Sequence, residues 1–375
     1  MTKIPVTLLT GFLGSGKTTV LNTLVKQPAM SGALVIINEF GDVGLDHLLV
    51  AHSRIEGVVE LSSGCLCCTI RGDLARTLKD AVWRFSRNGR RQFDRVMIES
   101  TGLADPAPIL QTLLDDPALT KHYFLDGIVT TVDLANGWQT LDRHPEALRQ
   151  SAVADVLLLT KADMAGEESR QALAERLRRI NPGARQIEAN PGSVRARDLI
   201  DLGVAQANAR GIDIQAWLHT RAFAGAGHAH EHAHAHGCAH DEDMQACCGS
   251  GEPGHEHREH GHSHASNHDD GIRSCSFVLD QPLEPEAFRE WREILMAFLG
   301  DRMLRLKGIL NIRGESRPLV IHGVQHVFHE PVHLDAWPGE DRSSRLVFIV
   351  QDLDRSVLEQ TLGILKRRNA SGAKT

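Results

Sequence analysis

No apolar run in the 375-residue chain approaches the ~20 residues needed to cross a bilayer, which excludes a helical membrane protein. There is no surplus of positive charge either. The 41 lysines and arginines are outnumbered by 48 aspartates and glutamates, and a net charge of −7 argues against a nucleic-acid binder. Cysteines are few, odd in number at seven, and clustered, which does not suit a disulfide framework. Clustered thiols of this kind are metal ligands or redox groups in a reducing compartment. The first apolar run, "PVTLLT" at residues 5–10, begins too early to leave room for a signal peptide, so the expected location is cytoplasmic.

What is present divides the chain in three. Hydrophobic residues at 42% and charged residues at 24% are those of an ordinary globular protein, and the length predicts two domains. Within residues 1–220, short apolar runs at 5–10, 33–39, 57–62, 95–100, 127–133, 155–160 and 185–189 read as strands. Amphipathic stretches between them, including 17–27, 73–87 and 167–180, read as helices. That alternation predicts an α/β domain with a mostly parallel sheet flanked by helices, whose ligand crevice lies at the carboxyl ends of the strands. Residues 221–271 have no hydrophobic periodicity, and twelve of the 21 histidines fall between His228 and His268. Such a segment cannot bury enough apolar surface to offset its ordering entropy and reads as a disordered linker. Strand-like runs at 274–280, 305–313, 317–325 and 345–351 follow, with helices at 285–300 and 354–366. They predict a smaller α+β domain over 272–370, with Phe288, Trp291, Leu295 and Phe298 on one apolar helical face and a frayed tail after it.

The first chemistry-bearing motif is "GFLGSGKT", Gly11 to Thr18, between a strand and a helix. It matches the phosphate-loop pattern in full. Gly11, Gly14 and Gly16 let backbone N–H groups of the loop, with those of Ser15 and Thr19, converge on phosphates. Lys17 reaches the β- and γ-phosphate oxygens, and the Thr18 hydroxyl ligates Mg²⁺. Further along, "TKAD" (Thr160 to Asp163) follows an apolar run. A carboxylate at Asp163 can accept from N1–H and the N2 amine of guanine, a donor pair that adenine lacks, while the Lys161 stem packs on the purine face. The bland alternative is a solvated helix start capped by Asp163. In "IESTG", Glu99 can hold Mg²⁺ through water and Gly102 can sense a γ-phosphate through its backbone. In "NEFGDVGLD", Glu39 and Asp42 can approach Mg²⁺ or a second metal; for Asp42 a solvated turn is an equal reading.

The stretch "SSGCLCCTIRG" places Cys65, Cys67 and Cys68 within four positions. Thiolates are soft donors suited to Zn²⁺ and related ions, and three of them leave a fourth tetrahedral position open for a transfer partner. The C-x-C-C spacing lacks the C-x-x-C of redox motifs, and buried core cysteines are the remaining alternative. His228, His230, His232, His234 and His236, with Cys238, Cys247 and Cys248, offer overlapping weak sites for Zn²⁺, Co²⁺, Ni²⁺ or Cu²⁺; a neutral spacer is the alternative.

Taken in order, "TLLTGFLGSGKTT", "NEFGDVGLD", "GCLCCT", "IESTGLADP" and "TKAD", then "RLKGIL", "VIHGVQ" and "RLVFIVQ", resemble the CobW family of GTPases, including its YjiA-like members. The likeness covers nearly all of the chain outside the histidine-rich linker. That family is similar to the nickel-insertion GTPases of urease and hydrogenase maturation, and its members are implicated in zinc or cobalt delivery. The resemblance implies a GTP-hydrolysing metallochaperone with the C-x-C-C motif as metal site, GTP, Mg²⁺ and Zn²⁺ (or Co²⁺) as cofactors, and a client metalloprotein as partner. It leaves room for a homo-oligomer. Alternative readings are cobalt delivery for cobalamin synthesis, a phosphotransferase acting on a small molecule, and passive metal storage. One departure is Ile37, where some relatives carry an acid before the Asn of N-E-F-G; another is Thr160 in place of the Asn of N-K-x-D.

Overall fold

The computed structural model describes residues 3–40, 58–63, 68–190, 193–203 and 270–372, with the side chains of 38–40, 58–63, 68–71 and 367–372 left out. The first part supplies strands β1 (Ile4–Gly11), β2 (Ala33–Phe40), β3 (Val58–Ser63), β4 (Ser86–Arg87), β5 (Arg90–Arg91), β6 (Arg95–Glu99), β7 (Tyr123–Asp133), β8 (Val156–Thr160) and β9 (Arg185–Ala189). Seven of them form one sheet in the order β3-β2-β6-β1-β7-β8-β9, with every neighbouring pair parallel. Around it run α1 (Lys17–Leu24), α2 (Cys68–Arg84), α3 (Ala107–Asp115), α4 (Pro117–Thr120), α5 (Gly137–Arg143), α6 (Pro145–Ala152) and α7 (Glu167–Ile180).

The near-continuous apolar runs are explained by helices on both faces. Along β8, Leu157 and Leu159 join one core while Val156 and Leu158 join the other. Along β2, Leu34 and Ile36 go one way and Val35 and Ile37 the other. The connection from β1 leads toward β2 on one side, and that from β7 leads toward β8 on the other. The chain reverses direction at β1, and the crevice beyond its carboxyl end is the expected ligand position.

Both boundaries of α2 differ from expectation. Helix α2 begins at Cys68, five residues before the expected start, so Gly72 is tolerated inside it. It stops at Arg84 because the chain turns into the β4–β5 hairpin. Asn88 and Gly89 carry that turn with φ of 52° and 70°, the two positive values a tight hairpin requires.

The second part contains β10 (Ile272–Leu279), α8 (Pro285–Leu299), β11 (Met303–Leu310), β12 (Leu319–Val324), β13 (Val327–Phe328), β14 (Val332–His333), β15 (Ser344–Gln351) and α9 (Arg355–Gly372). Its strands form an antiparallel sheet in the order β10-β15-β11-β12-β13, with β14 also on β12. Phe288, Trp291 and Leu295 are buried on α8 as expected, but Phe298 is 77% exposed and Leu299 takes the next core position. Positions three and four after Leu295 border the same helical face, and the structure buries the fourth. Helix α9 continues to Gly372 rather than fraying at the expected end.

The two parts are joined by packing and charge. Leu304, Val324 and Ile349 of the second sheet belong to the core of the first part. Beneath them Asp155 lies 3.1 Å from Lys307 Nζ and pairs with Arg305, whose guanidinium also donates to the Val153 carbonyl. Burial alone would raise the Asp155 pKa, but the charges of Arg305 and Lys307 hold it at about 2. Lys307 shares that carboxylate with a second cation, and burial pulls its pKa down to about 8. The stacked rings of His322 and His329, 3.4 Å apart, are kept neutral: burial, helped by nearby Arg305, lowers both, His329 to about 3. Arg176 closes another side by pairing with Asp270 and, at 2.7 Å, with Asp142. Of the predicted 221–271 linker, all but Asp270 and Gly271 lies outside the described residues, as does 204–220 of the first domain.

Candidate functional site

The phosphate loop leaves β1 at Gly11 and enters α1 at Lys17. Gly11 has φ 141°, and a Cβ there would fall 2.2 Å from Thr131 Oγ1, so only glycine fits between the loop and β7. Gly14 and Gly16 also take positive φ, at 69° and 92°. The Ser15 hydroxyl is 2.7 Å from the Phe12 carbonyl and 2.6 Å from Thr131 Oγ1, which ties the loop to β7. Lys17 folds back so that Nζ donates to the carbonyls of Gly11 (2.9 Å) and Phe12 (3.1 Å). Its ammonium therefore rests over the loop where phosphate oxygens would lie. Thr19, two positions further along α1, is exposed.

Glu99 ends β6 beside β1 and is 4% exposed. Its Oε1 accepts from Thr18 Oγ1 at 2.8 Å, so the two oxygens expected to serve Mg²⁺ are brought together. The loop after it lies on the phosphate loop: a Cβ at Gly102 would meet Leu13 backbone atoms at 2.7–2.8 Å. On the far side, Gln150 of α6 donates through Nε2 to the carbonyls of Gly102 (3.2 Å) and Ala104 (3.0 Å).

Thr160 and Lys161 close the site from β8. The Thr160 hydroxyl donates to the Ser15 carbonyl at 2.8 Å, so the residue that departs from N-K-x-D still clasps the phosphate loop. Lys161 adopts a left-handed φ of 57° and sends Nζ 2.8 Å to Asp133 Oδ2. Burial would raise the Asp133 pKa, but the bonds from Lys161, Asn136 and Ala135 win and hold it below the ordinary range. Asp163 sits exposed on the turn that follows. A cavity of about 210 Å³ opens beside the loop, lined by Phe12, Ser15, Thr131, Asp133, Asn136 and Lys161 among others.

Sequence reasoning missed Asp133, Thr131 and Gln150. Asp133 ends β7 and could have been found from the carboxyl-end rule. Thr131 and Gln150 carry no local signal, because their roles depend on which strand and helix lie beside β1. Glu39 is placed in β2 opposite Ser62 of β3, with its side chain outside the described set. Cys68 opens α2, its side chain likewise outside. Cys65, Cys67, Asp42 and the histidines 228, 230, 232, 234 and 236 lie outside the described residues altogether. Among the described residues no group of three His, Cys, Asp or Glu side chains could hold a metal, and no helix is long and apolar enough to cross a membrane.

A glycine loop capped by lysine and threonine, at the switch point of an all-parallel sheet, defines a phosphate-loop nucleotide-binding protein. The chain belongs to the CobW/HypB/UreG family: the nucleotide-binding domain of that name matches residues 5–188, and the cobalamin synthesis protein cobW C-terminal domain matches residues 272–365. It is 32% identical over 351 residues to the zinc chaperone YjiA of Escherichia coli, covering 93% of this chain and 94% of that one. It is 30% identical to the zinc chaperone CobW of Pseudomonas aeruginosa, over 96% of this chain and 91% of the relative. A crystal structure of Zn(II)-bound YjiA GTPase from E. coli superposes with a TM-score of 0.61 at 28% identity, covering 97% and 99% of the two chains.

Proposed function

We propose that the chain is a GTP-hydrolysing zinc chaperone that carries the ion at Cys65, Cys67 and Cys68 and yields it to a client metalloprotein under nucleotide control. The observation that carries the nucleotide half is the joining of Thr18, Glu99 and Lys17 at the mouth of one phosphate loop. Relatives over nearly the whole length are zinc chaperones, which supports zinc as cargo.

The residues do their work by placement and charge. Backbone N–H groups of residues 14–19 and the Lys17 ammonium neutralise the triphosphate, while Asp163 selects guanine. The Thr18 and Glu99 oxygens are hard donors that suit Mg²⁺, and Glu39 or Asp42 could add to them. When bound, that ion neutralises charge developing on the phosphates. Gly102 presents its backbone where the γ-phosphate is read. Unassisted hydrolysis by such a site is slow, on the order of 10⁻³ s⁻¹ or less.

On the metal side, residues 64–67 connect the end of β3 to Cys68 at the start of α2, and β3 borders β2 in the nucleotide sheet. Movement at the phosphates can then pass through β2 and β3 to the segment that carries the cysteines. The linker histidines collect the ion and pass it on to the cysteines.

The test has three arms. Asp163→Asn should weaken GTP binding without improving ATP binding, and Cys65→Ser/Cys67→Ser/Cys68→Ser should lose one tightly bound zinc. Deleting residues 228–268 should lower zinc stoichiometry while sparing GTP binding. A chain that prefers ATP and phosphorylates a small molecule would replace this reading with the phosphotransferase one. Unchanged zinc in the cysteine variant would remove the cargo site.

A further inference from the structure

We propose that Gln325, a residue of the second domain, is a positioning residue for GTP hydrolysis in the first; this rests on the GTPase reading above. Gln325 forms the turn between β12 and β13 and is 4% exposed. Its Nε2 donates to both Oδ1 and Oδ2 of Asp105 at 3.1 Å. Asp105 ends the loop that begins at Glu99. Its Oδ1 also accepts from the Ala107 N–H at 3.0 Å to start α3, and Oδ2 faces Arg149 Nη1 at 3.7 Å. Arg149 in turn reaches the second domain, where its Nε donates to Gln351 Oε1 at 3.4 Å.

The backbone at Gln325 is fixed by the two-residue turn that carries it. Its φ of 51° lies in the left-handed region, unusual for a glutamine. Non-glycine residues are kept in that region when surrounding structure holds them there. Here the Gln325 N–H bonds the Leu304 carbonyl at 3.2 Å and Val324 pairs with Val327 across the turn.

The loop is therefore pinned at three points: against Leu13 at Gly102, to α6 through Gln150, and to the second domain through Asp105. Only two residues separate Gly102 from Asp105, so a shift at one end cannot be absorbed before the other. A misplacement of about 1 Å in catalytic geometry can cost on the order of 10²-fold in rate. Gln325 thus sets where Gly102 meets the γ-phosphate without touching the nucleotide.

The test uses the full chain. Gln325→Asn favours the left-handed backbone but is a methylene too short to hold Asp105. Gln325→Glu keeps the length and puts a second carboxylate against Asp105. Both should lower kcat about tenfold, with GDP affinity and melting temperature of the Asn variant near those of the parent. Asp105→Asn retains the Ala107 cap and weakens the same link; combined with Gln325→Asn it should add little further loss. Rates within twofold of the parent would overturn the proposal. So would parallel losses of kcat, GDP affinity and stability, the mark of a merely structural residue. A parent chain that binds but never hydrolyses GTP would instead overturn the GTPase reading, and this one with it.

Discussion

Replacing Asp155 with asparagine tests whether the two domains form one cooperative body. The side chain is the shared counter-charge of Arg305 and Lys307, and the three side chains are only 11%, 6% and 8% exposed. It also accepts from the Ile128 N–H at 3.0 Å at the start of β8. Asparagine keeps the shape and an acceptor but removes the charge, which leaves two buried cations facing a neutral amide. Losing one partner of a buried pair costs ~3–5 kcal/mol, and the retained hydrogen bonding places this case near ~3. In one cooperative body larger than roughly 250 residues each kcal/mol moves Tm by about 2 °C or less, so calorimetry should show a drop of about 4–6 °C. Adding Lys307→Met should recover part of it, because one cation fewer then needs the lost charge. A drop below 2 °C, or no recovery in the double variant, would refute the claim that this cluster holds the domains together.

Acid should act at the same interface with a defined sign. The folded-state pKa of His329, about 3, lies below the ordinary 6.5, and that of His322 is lowered as well. Their contribution is therefore complete above pH 6.5 and erodes as pH falls toward 3. Asp155, at about 2 against an ordinary 3.8, adds a loss of ~2 kcal/mol confined to pH below about 4. Melting scans should show Tm declining between pH 6.5 and 4, and His329→Phe, which keeps the stacked ring without a titrating group, should flatten that slope. At the nucleotide site, Gly11→Ala must push a methyl into Thr131 and should cut GTP affinity at least ~100-fold by fluorescence titration. Gly14→Ala meets nothing within 4 Å and should cost far less, limited to its backbone strain.

The sheet was legible because doubly covered parallel strands are apolar without alternation, and "DVLLLT" and "ALVIINE" can hardly be anything else. The phosphate loop was legible because its chemistry is local: Gly11, Lys17 and Thr18 act within eight residues. What stayed hidden is what depends on neighbours distant in sequence. Thr160 looks like a lost asparagine until β8 is seen to bring its hydroxyl to Ser15. Gln150 and Gln325 are unremarkable polar residues until the fold sets both against the loop from Gly102 to Asp105. The β4–β5 hairpin carries an Asn-Gly signal that could have been read. Phe298 and Leu299 compete for one helical face, and only the folded packing shows that Leu299 takes the core position.

Control of zinc release by nucleotide requires the two to be linked ligands, and linkage makes the effect of each on the other equal in size. The direct measurement is the zinc affinity of the full chain, by competition with a chelator, in the presence of a non-hydrolysable GTP analogue and then of GDP. The affinities should differ at least fivefold between the two states, with a matching ratio when nucleotide affinity is measured with and without zinc. Equal zinc affinities in both nucleotide states would contradict it.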